Sequence, residues 1–390
     1  MVDKFIYLDN AATTKPNKDV VALYNDIETN HFGNSSSIHG LGVDSSKYLN
    51  AARESLLNSF KLKNYKVYFT GSSTEANNLA IKGYCYKHAN RGKHIITTNI
   101  EHPSVLECFK ALEKDGFKVT YLMVNENGIV SADDVKNAMT NETILVSVMA
   151  VNNEIGSINP IKEIKEVVSK FPKAVLHVDT TQALGKIELD YNDCDMFVVS
   201  SHKIHGLKGS GALISKSNIS FDPIINGGGQ EEGMRSGTVS VASACALAKA
   251  VKNLFPLKNI GDLRAFLVEN LNLLDGVELN SNDKCSPYIV NFSLTKKKAS
   301  VVVEALSNKG IYVSSVSACN SKGETGSYVV KALGKSDNLS YNTIRVSLDN
   351  ETTLDELKEF VKTLKEILES IKWFTITSWF ALVNCLPKVK

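Results

Sequence analysis

No uninterrupted apolar run in this chain of 390 residues approaches the roughly 20 that a membrane-crossing helix needs, so no bilayer span is expected. Neither sign of charge dominates. The 44 Lys and Arg stand against 42 Asp and Glu, a net charge of +2, which argues against nucleic acid or a membrane surface as the defining partner. Met1 to Asn10 lacks the charged-then-apolar order of a secretory signal. Cysteine is sparse and odd in number: Cys85, Cys108, Cys194, Cys245, Cys285, Cys319 and Cys385, none in a C-x-x-C pair. A zinc site or a disulfide framework is therefore not expected, and reduced thiols in a cytoplasmic protein are the better reading. Internal repeats and low-complexity tracts are absent.

What is present is an ordinary globular composition, 43% hydrophobic and 22% charged, on a chain longer than one core usually serves. Short apolar runs alternate with amphipathic stretches. Strands are expected at Val67 to Thr70, His94 to Thr98, Val119 to Met123, Ile144 to Val148, Ala174 to Val178 and Met196 to Val199. Helices are expected at Thr74 to Ala89, Pro103 to Lys114, Ala132 to Met139 and Ile161 to Lys170, with a long one from Val239 to about Leu254. This rhythm predicts an α/β fold: a large domain with a mostly parallel sheet flanked by helices. A smaller α+β domain is expected after it, with strands at Tyr288 to Ser293 and Asn342 to Ser347 and helices at Ser300 to Asn308 and Leu354 to Ile371. The expected boundaries are an N-terminal segment, 1–15, packing with the small domain, a large domain over 16–255 and a small one over 256–390. The aromatic tail, with Trp373, Phe374, Trp379 and Phe380, is expected to pack on the small domain, a docking or membrane-surface role being the alternative.

In a parallel sheet ligands bind beyond the carboxyl ends of the strands, where Thr74, His102, Asn153, Asp179 and Lys203 all fall. Lys203 in Ser200-Ser201-His202-Lys203 lies 24 residues after Asp179 of His177-Val178-Asp179-Thr180-Thr181-Gln182, and each group closes a buried-type strand. A lysine and an aspartate so delivered suit pyridoxal phosphate. That cofactor needs an amine for its aldehyde and a carboxylate to keep its ring nitrogen protonated. Ser73 and Thr74 open a helix after Gly71 and could hold a phosphate, helped by Ser200 and His202. His102 could stack on a ring and move protons, or equally be a helix-capping or satisfied core histidine, and Asn153 and Gln182 could meet ring substituents. Gly227 to Thr238 is the glycine-richest stretch and suits a site or subunit boundary. Cys319 sits in a small, polar stretch, Ser314 to Gly323, a setting for a nucleophile that must swing; an incidental loop cysteine is the alternative. Arg345 alternates with apolar neighbours and would pair either with a substrate carboxylate or in a structural ion pair.

Together these motifs resemble the cysteine desulfurases of the NifS/IscS-like branch of the class V aminotransferase group, fold-type I pyridoxal-phosphate enzymes. The resemblance runs from Tyr7-Leu8-Asp9-Asn10-Ala11-Ala12-Thr13-Thr14 to Arg345. It includes Thr74-Glu75-Ala76-Asn77-Asn78, Glu101-His102, Val151 to Gly156, Met234 to Thr238 and Ser317-Ala318-Cys319. The resemblance implies that Lys203 carries the cofactor, Asp179 meets its ring nitrogen and His102 stacks on the ring. It further implies ring contacts from Asn153 and Gln182, and phosphate contacts from Ser73, Thr74, Ser200 and His202. Thr238 would reach the cofactor of a second subunit, which implies a homodimer. Asn34 and Arg345 would clamp the carboxylate of L-cysteine, and Cys319 would take its sulfur as a persulfide, leaving L-alanine. The implied partner is a sulfur-acceptor protein, an iron–sulfur scaffold or a tRNA-thiolation enzyme; no metal is implied. Three positions depart from the pattern: Ser35 in place of a proline, Val316 in place of a glycine, and Val239-Ser240-Val241 after Arg235-Ser236-Gly237-Thr238. A selenocysteine lyase or a plain class V aminotransferase is the rival enzyme, and a non-catalytic scaffold-binding protein the rival of another kind. A plain aminotransferase would not need Cys319.

Overall fold

The computed structural model describes residues 5–315 and 326–370. Cys319 and the aromatic tail therefore lie outside the described residues. The strands, in chain order, are β1 (Ile6–Tyr7), β2 (Tyr65–Thr70), β3 (His94–Thr98), β4 (Lys118–Leu122), β5 (Thr143–Met149), β6 (Val175–Asp179), β7 (Met196–Ser200), β8 (Gly211–Lys216), β9 (Val277–Leu279), β10 (Ile289–Leu294), β11 (Ile311–Tyr312), β12 (Ser314–Ser315) and β13 (Thr343–Ser347).

Seven of them form one sheet in the order β2-β8-β7-β6-β5-β3-β4. The contacts from β7 through β6, β5 and β3 to β4 are parallel, and β8 alone runs against its neighbours. Helices on both faces bury the central strands; every residue of β5 and of β7 is buried. Such strands read as unbroken apolar runs because neither face meets water. The mixed α/β fold with a mostly parallel sheet is thus as expected. Sequence reading missed β8, since it starts on a glycine and ends on Ser215-Lys216, and it also missed the helices Lys18–Asn30, Gly40–Ser59 and Gly261–Asn272.

The single helix expected from Thr74 to Ala89 is in fact three consecutive pieces. Ser73–Asn78 and Tyr84–Lys87 are α-helical, and Leu79–Gly83 between them is π-helical. The reason is a backbone crossing. Asp222 N donates to Gly83 O at 2.9 Å, and a Cβ on Gly83 would lie 2.7 Å from Asp222 O. The widened turn accommodates that contact.

A second, four-stranded antiparallel sheet has the order β12-β13-β10-β9, and β1 pairs in parallel with β11. Leu8 joins the apolar cluster built by this second sheet and the helices Gly261–Asn272, Ala299–Ser307 and Leu354–Ser370. The chain between β1 and the helix Lys18–Asn30 returns to the large sheet, where Thr14 N donates to His202 O at 2.8 Å. This brings Ala11 and Ala12 to the mouth of the parallel sheet.

Candidate active site

A cavity of about 360 Å³ opens at the carboxyl ends of β2, β5, β6 and β7. Lys203 reaches it from the short 3-10 turn Ser201–Lys203 that follows β7, and Asp179 from the last position of β6. Lys203 Nζ donates to the carbonyls of Ala11, at 2.6 Å, and Ala12, at 2.7 Å. The N-terminal segment therefore aims the amine. Gln182 Nε2 donates to the same Ala11 carbonyl at 2.9 Å.

Asp179 is held from two sides. Asn77 Nδ2 donates to its Oδ2 at 3.0 Å, and the Thr181 backbone N–H to its Oδ1 at 2.9 Å. The same Asn77 Nδ2 lies 2.9 Å from Ser104 Oγ, which lies 2.8 Å from His102 Nδ1. A continuous polar chain therefore links His102 to Asp179. His102 caps the helix Pro103–Lys114, accepting from Ser104 N at 3.1 Å, and turns its ring to the cavity. Burial lowers the His102 pKa, Lys203 adds to that, and Asp179 opposes it. Directly behind, Glu101 is fully buried, and its carboxyl is pushed up to about 8 by burial, against donation from Met149 N and Thr98 Oγ1.

The end of the cavity nearest β2 is lined by hydroxyl side chains. Ser72 caps the helix Ser73–Asn78, its hydroxyl accepting from Glu75 N, and Ser73 and Thr74 line the wall. Strand β8 passes directly beneath at Gly211, where a Cβ would lie 2.8 Å from Ser72 C and 3.0 Å from Ser73 N. Only glycine fits that crossing. Glu75 accepts from Gly71 N and pairs with Arg235 at 2.6 Å, which fastens the glycine-rich stretch to this turn. His202 lines the cavity with its imidazole held down to about 4, first by burial and then by Lys203 and Lys208. It is neutral at pH 7, and its Nδ1 lies 3.2 Å from Thr13 Oγ1.

At the opposite end Arg345, 7% exposed, donates to Asp9 Oδ1 at 2.9 Å and to Asn153 O at 2.9 Å. Its Nε is buried without a hydrogen-bond partner. Arg345 thus stands in an ion pair and on the cavity wall at once.

Of the residues singled out by sequence, the cavity gathers Ser73, Thr74, His102, Asn153, Asp179, Gln182, His202, Lys203 and Arg345. Ser200 lies just behind the wall, its hydroxyl buried without a partner. Thr238 and Asn34 are exposed and do not line the cavity, and Asn34 Oδ1 accepts from Ser36 N at 3.0 Å. Sequence reading assigned no role to Asn77, Ser104, Thr181 or Tyr328. Asn77 stood inside a recognised motif, but its partners are remote in sequence. Tyr328 OH donates to Glu101 O at 2.6 Å across a separation of 227 residues. Among the described residues no group of acidic, histidine and cysteine side chains could hold a metal.

Residues 6–360 match the aminotransferase class-V family. The chain is similar to a protein named cysteine desulfurase IscS from Clostridium botulinum, with 37% identity over 379 residues, 94% of this chain and 95% of the relative. A solved structure of a NifS-like protein superposes with a TM-score of 0.87 at 32% identity, covering 94% of this chain and 100% of that one. A second, described as SspA in complex with cysteine, has a TM-score of 0.78 at 32% identity, covering 88% and 98%.

Proposed function

Because this chain belongs to the class-V aminotransferase family and is a pyridoxal-phosphate-dependent cysteine desulfurase within it, we propose that the cavity around Lys203 is its catalytic site. The observation that carries the reading is the convergence of Lys203, Asp179 and His102, from three separate strand ends, on one cavity.

The wall suits the cofactor in its unmet polar atoms. Asn153 Oδ1 and Thr181 Oγ1 belong to cavity-lining residues and are buried with no partner, as is Ser200 Oγ behind them. Lys203 would hold the cofactor's aldehyde carbon and Asp179 the proton on its ring nitrogen. His102, Asn153 and Gln182 would contact the ring, and Ser73, Thr74, Ser200 and His202 the phosphate. When bound, the cofactor supplies an electron sink for negative charge developing at the substrate α-carbon.

The chain's own groups do the rest. The carbonyls of Ala11 and Ala12 orient the Lys203 amine, which takes the α-proton from L-cysteine. The His102 imidazole, its pKa lowered mainly by burial, can accept a proton beside it. Arg345 binds the substrate carboxylate, keeping its contact with Asn153 O as an orienting strut. The Cys319 thiolate attacks the substrate sulfur: a sulfur–sulfur bond forms, the carbon–sulfur bond breaks, and the carbon is protonated as L-alanine leaves. The persulfide on Cys319 passes to a sulfur-acceptor protein, an iron–sulfur scaffold or a tRNA-thiolation enzyme.

We also propose a homodimer, since Thr238 is exposed and lies away from its own chain's cavity, as a contribution to a second subunit's site requires. The proposed units are a large one at 16–255 and a small one at 256–390, with Leu8 packing on the latter and Ala11 to Thr14 bonded to the former. No helix among the described residues is long and apolar enough to cross a membrane, and the proposed location is the cytoplasm.

The test compares alanine and sulfide release from L-cysteine plus a thiol reductant in the wild type and in Cys319→Ala. Release that vanishes in the variant while its cofactor absorbance persists supports the assignment. Equal release in both removes Cys319 from the mechanism, and transamination without sulfide removes the desulfurase reading.

A further inference from the structure

Gln182 and Lys186 stand one helical turn apart after β6, the spacing at which side chains on a helical turn meet. Lys186 Nζ donates to Gln182 Oε1 at 2.8 Å. The other end of the same amide, Nε2, donates to Ala11 O, which also receives Lys203 Nζ. Gln182 is only 3% exposed, so water does not serve its oxygen in place of Lys186. A side-chain amide has an acceptor end and a donor end of nearly the same shape. A lysine ammonium carries donors alone, so its contact with Oε1 leaves the NH2 end to face the cavity. Lys186 itself is half-buried, with Lys203 and Asp349 as its charged neighbours. Burial pulls it down to about 7, Lys203 and Arg345 acting in the same direction and Asp349 against it. Ammonium and neutral amine both carry N–H donors, so the contact to Oε1 can persist on either side of that pH.

We propose that Lys186 is a positioning residue that fixes the side-chain amide of Gln182, so that its NH2 end is presented to the pyridoxal-phosphate cavity. The proposal rests on reading Gln182 as a cofactor contact. Lys186 touches neither cofactor nor substrate and acts through Gln182 alone. A lysine-to-methionine change keeps the length of the side chain and removes the donor. It leaves a buried amide oxygen unpaired and the amide held by its contact with Ala11 O alone.

The experiment titrates pyridoxal phosphate into the full-length apoprotein and follows the visible absorption band of the bound cofactor across pH. Wild type is compared with Lys186→Met, Gln182→Ala, the double variant and Lys186→Arg. The expected loss of affinity is about tenfold for Lys186→Met and for Gln182→Ala, the worth of roughly one buried hydrogen bond, with the band shifted in the same direction in both. Acting through one group, the double variant binds no more weakly than either single one. Lys186→Arg, which restores a donor, returns the band to its wild-type position. Fully multiplied losses in the double variant would overturn the proposal. So would a Lys186→Met protein indistinguishable from wild type while Gln182→Ala is altered. If Gln182→Ala is itself unaltered, the reading of Gln182 fails first and the proposal with it. Should Lys186→Met not fold, Lys186→Gln, whose side chain is too short to reach Oε1, takes its place with the same expected outcomes.

Discussion

Replacing Asn77 by Asp sets a second carboxylate against Asp179, at the 3.0 Å that now separates Asn77 Nδ2 from Asp179 Oδ2. Two full charges at that distance repel by about 5 kcal/mol at an effective dielectric of about 20. The pair relieves most of this by sharing one proton, as paired carboxylates do, with one member's pKa raised by about 3 units. The sign follows. A carboxyl whose folded pKa lies above its unfolded value binds more protons in the native state, so stability falls as pH rises toward the folded pKa. Asn77→Asp should therefore lose stability relative to wild type between about pH 4 and pH 7, by up to about 4 kcal/mol. Asn77→Ala removes the same donated hydrogen bond without adding a charge. It also removes Asn77 Oδ1, a buried atom with no partner. Its cost is about 1–2 kcal/mol with no added pH slope. Urea unfolding of the full-length apoprotein at both ends of that pH range measures the difference. Equal destabilisation by the two variants at the two pH values would contradict the pairing of Asn77 with Asp179.

The His205–Asp349 contact at 3.1 Å raises the imidazole pKa through Asp349, against burial. Its stabilisation is complete below about pH 6.5 and fades as pH rises through the raised folded value, so His205→Ala should cost about 2 kcal/mol near pH 6 and less near pH 9. A pH-independent loss in urea unfolding would show that the ion pair is not the source. Gly211→Ala forces a Cβ to within 2.8 Å of Ser72 C and of Val199 O, both backbone atoms. It should destabilise the fold by about 1–3 kcal/mol and weaken phosphate-dependent cofactor binding more than binding of the unphosphorylated aldehyde. Equal weakening of the two ligands, read by absorbance titration, would place the strain elsewhere. Glu231, 5% exposed, accepts from Phe69 N at 2.7 Å and from Arg53 Nη1 at 3.0 Å. Glu231→Gln leaves Arg53 without its countercharge and should cost about 3 kcal/mol, as seen in the midpoint of urea unfolding. A midpoint unchanged from wild type would mean that the pair adds nothing.

Much of the large sheet was readable because its strands are buried on both faces and stand out as short apolar runs. β3 and the helix Pro103–Lys114 coincide with their expected bounds. β8 escaped because an antiparallel strand opening on Gly211 carries no such continuous run. The π-helical turn at Leu79–Gly83 escaped because its cause, the crossing chain at Asp222, is not local.

The same division holds in the site. Asp179, Lys203 and His102 could be named from sequence because each closes a strand or opens a helix, and strand ends are where a parallel sheet exposes its chemistry. What sequence could not decide is which groups hold those three. Asp179 depends on Asn77, 102 residues earlier, and Arg345 on Asp9, 336 residues earlier. Such contacts follow from the meeting of elements in space, and no local period or propensity encodes them. The sequence by itself determined most strands of the large sheet, the helices between them and the kinds of group at their ends, because burial and capping act over a few neighbouring residues. Only the tertiary structure decided that the carbonyls of Ala11 and Ala12 aim Lys203, because hydrogen bonds between segments some 190 residues apart exist only once the sheet has brought those segments together.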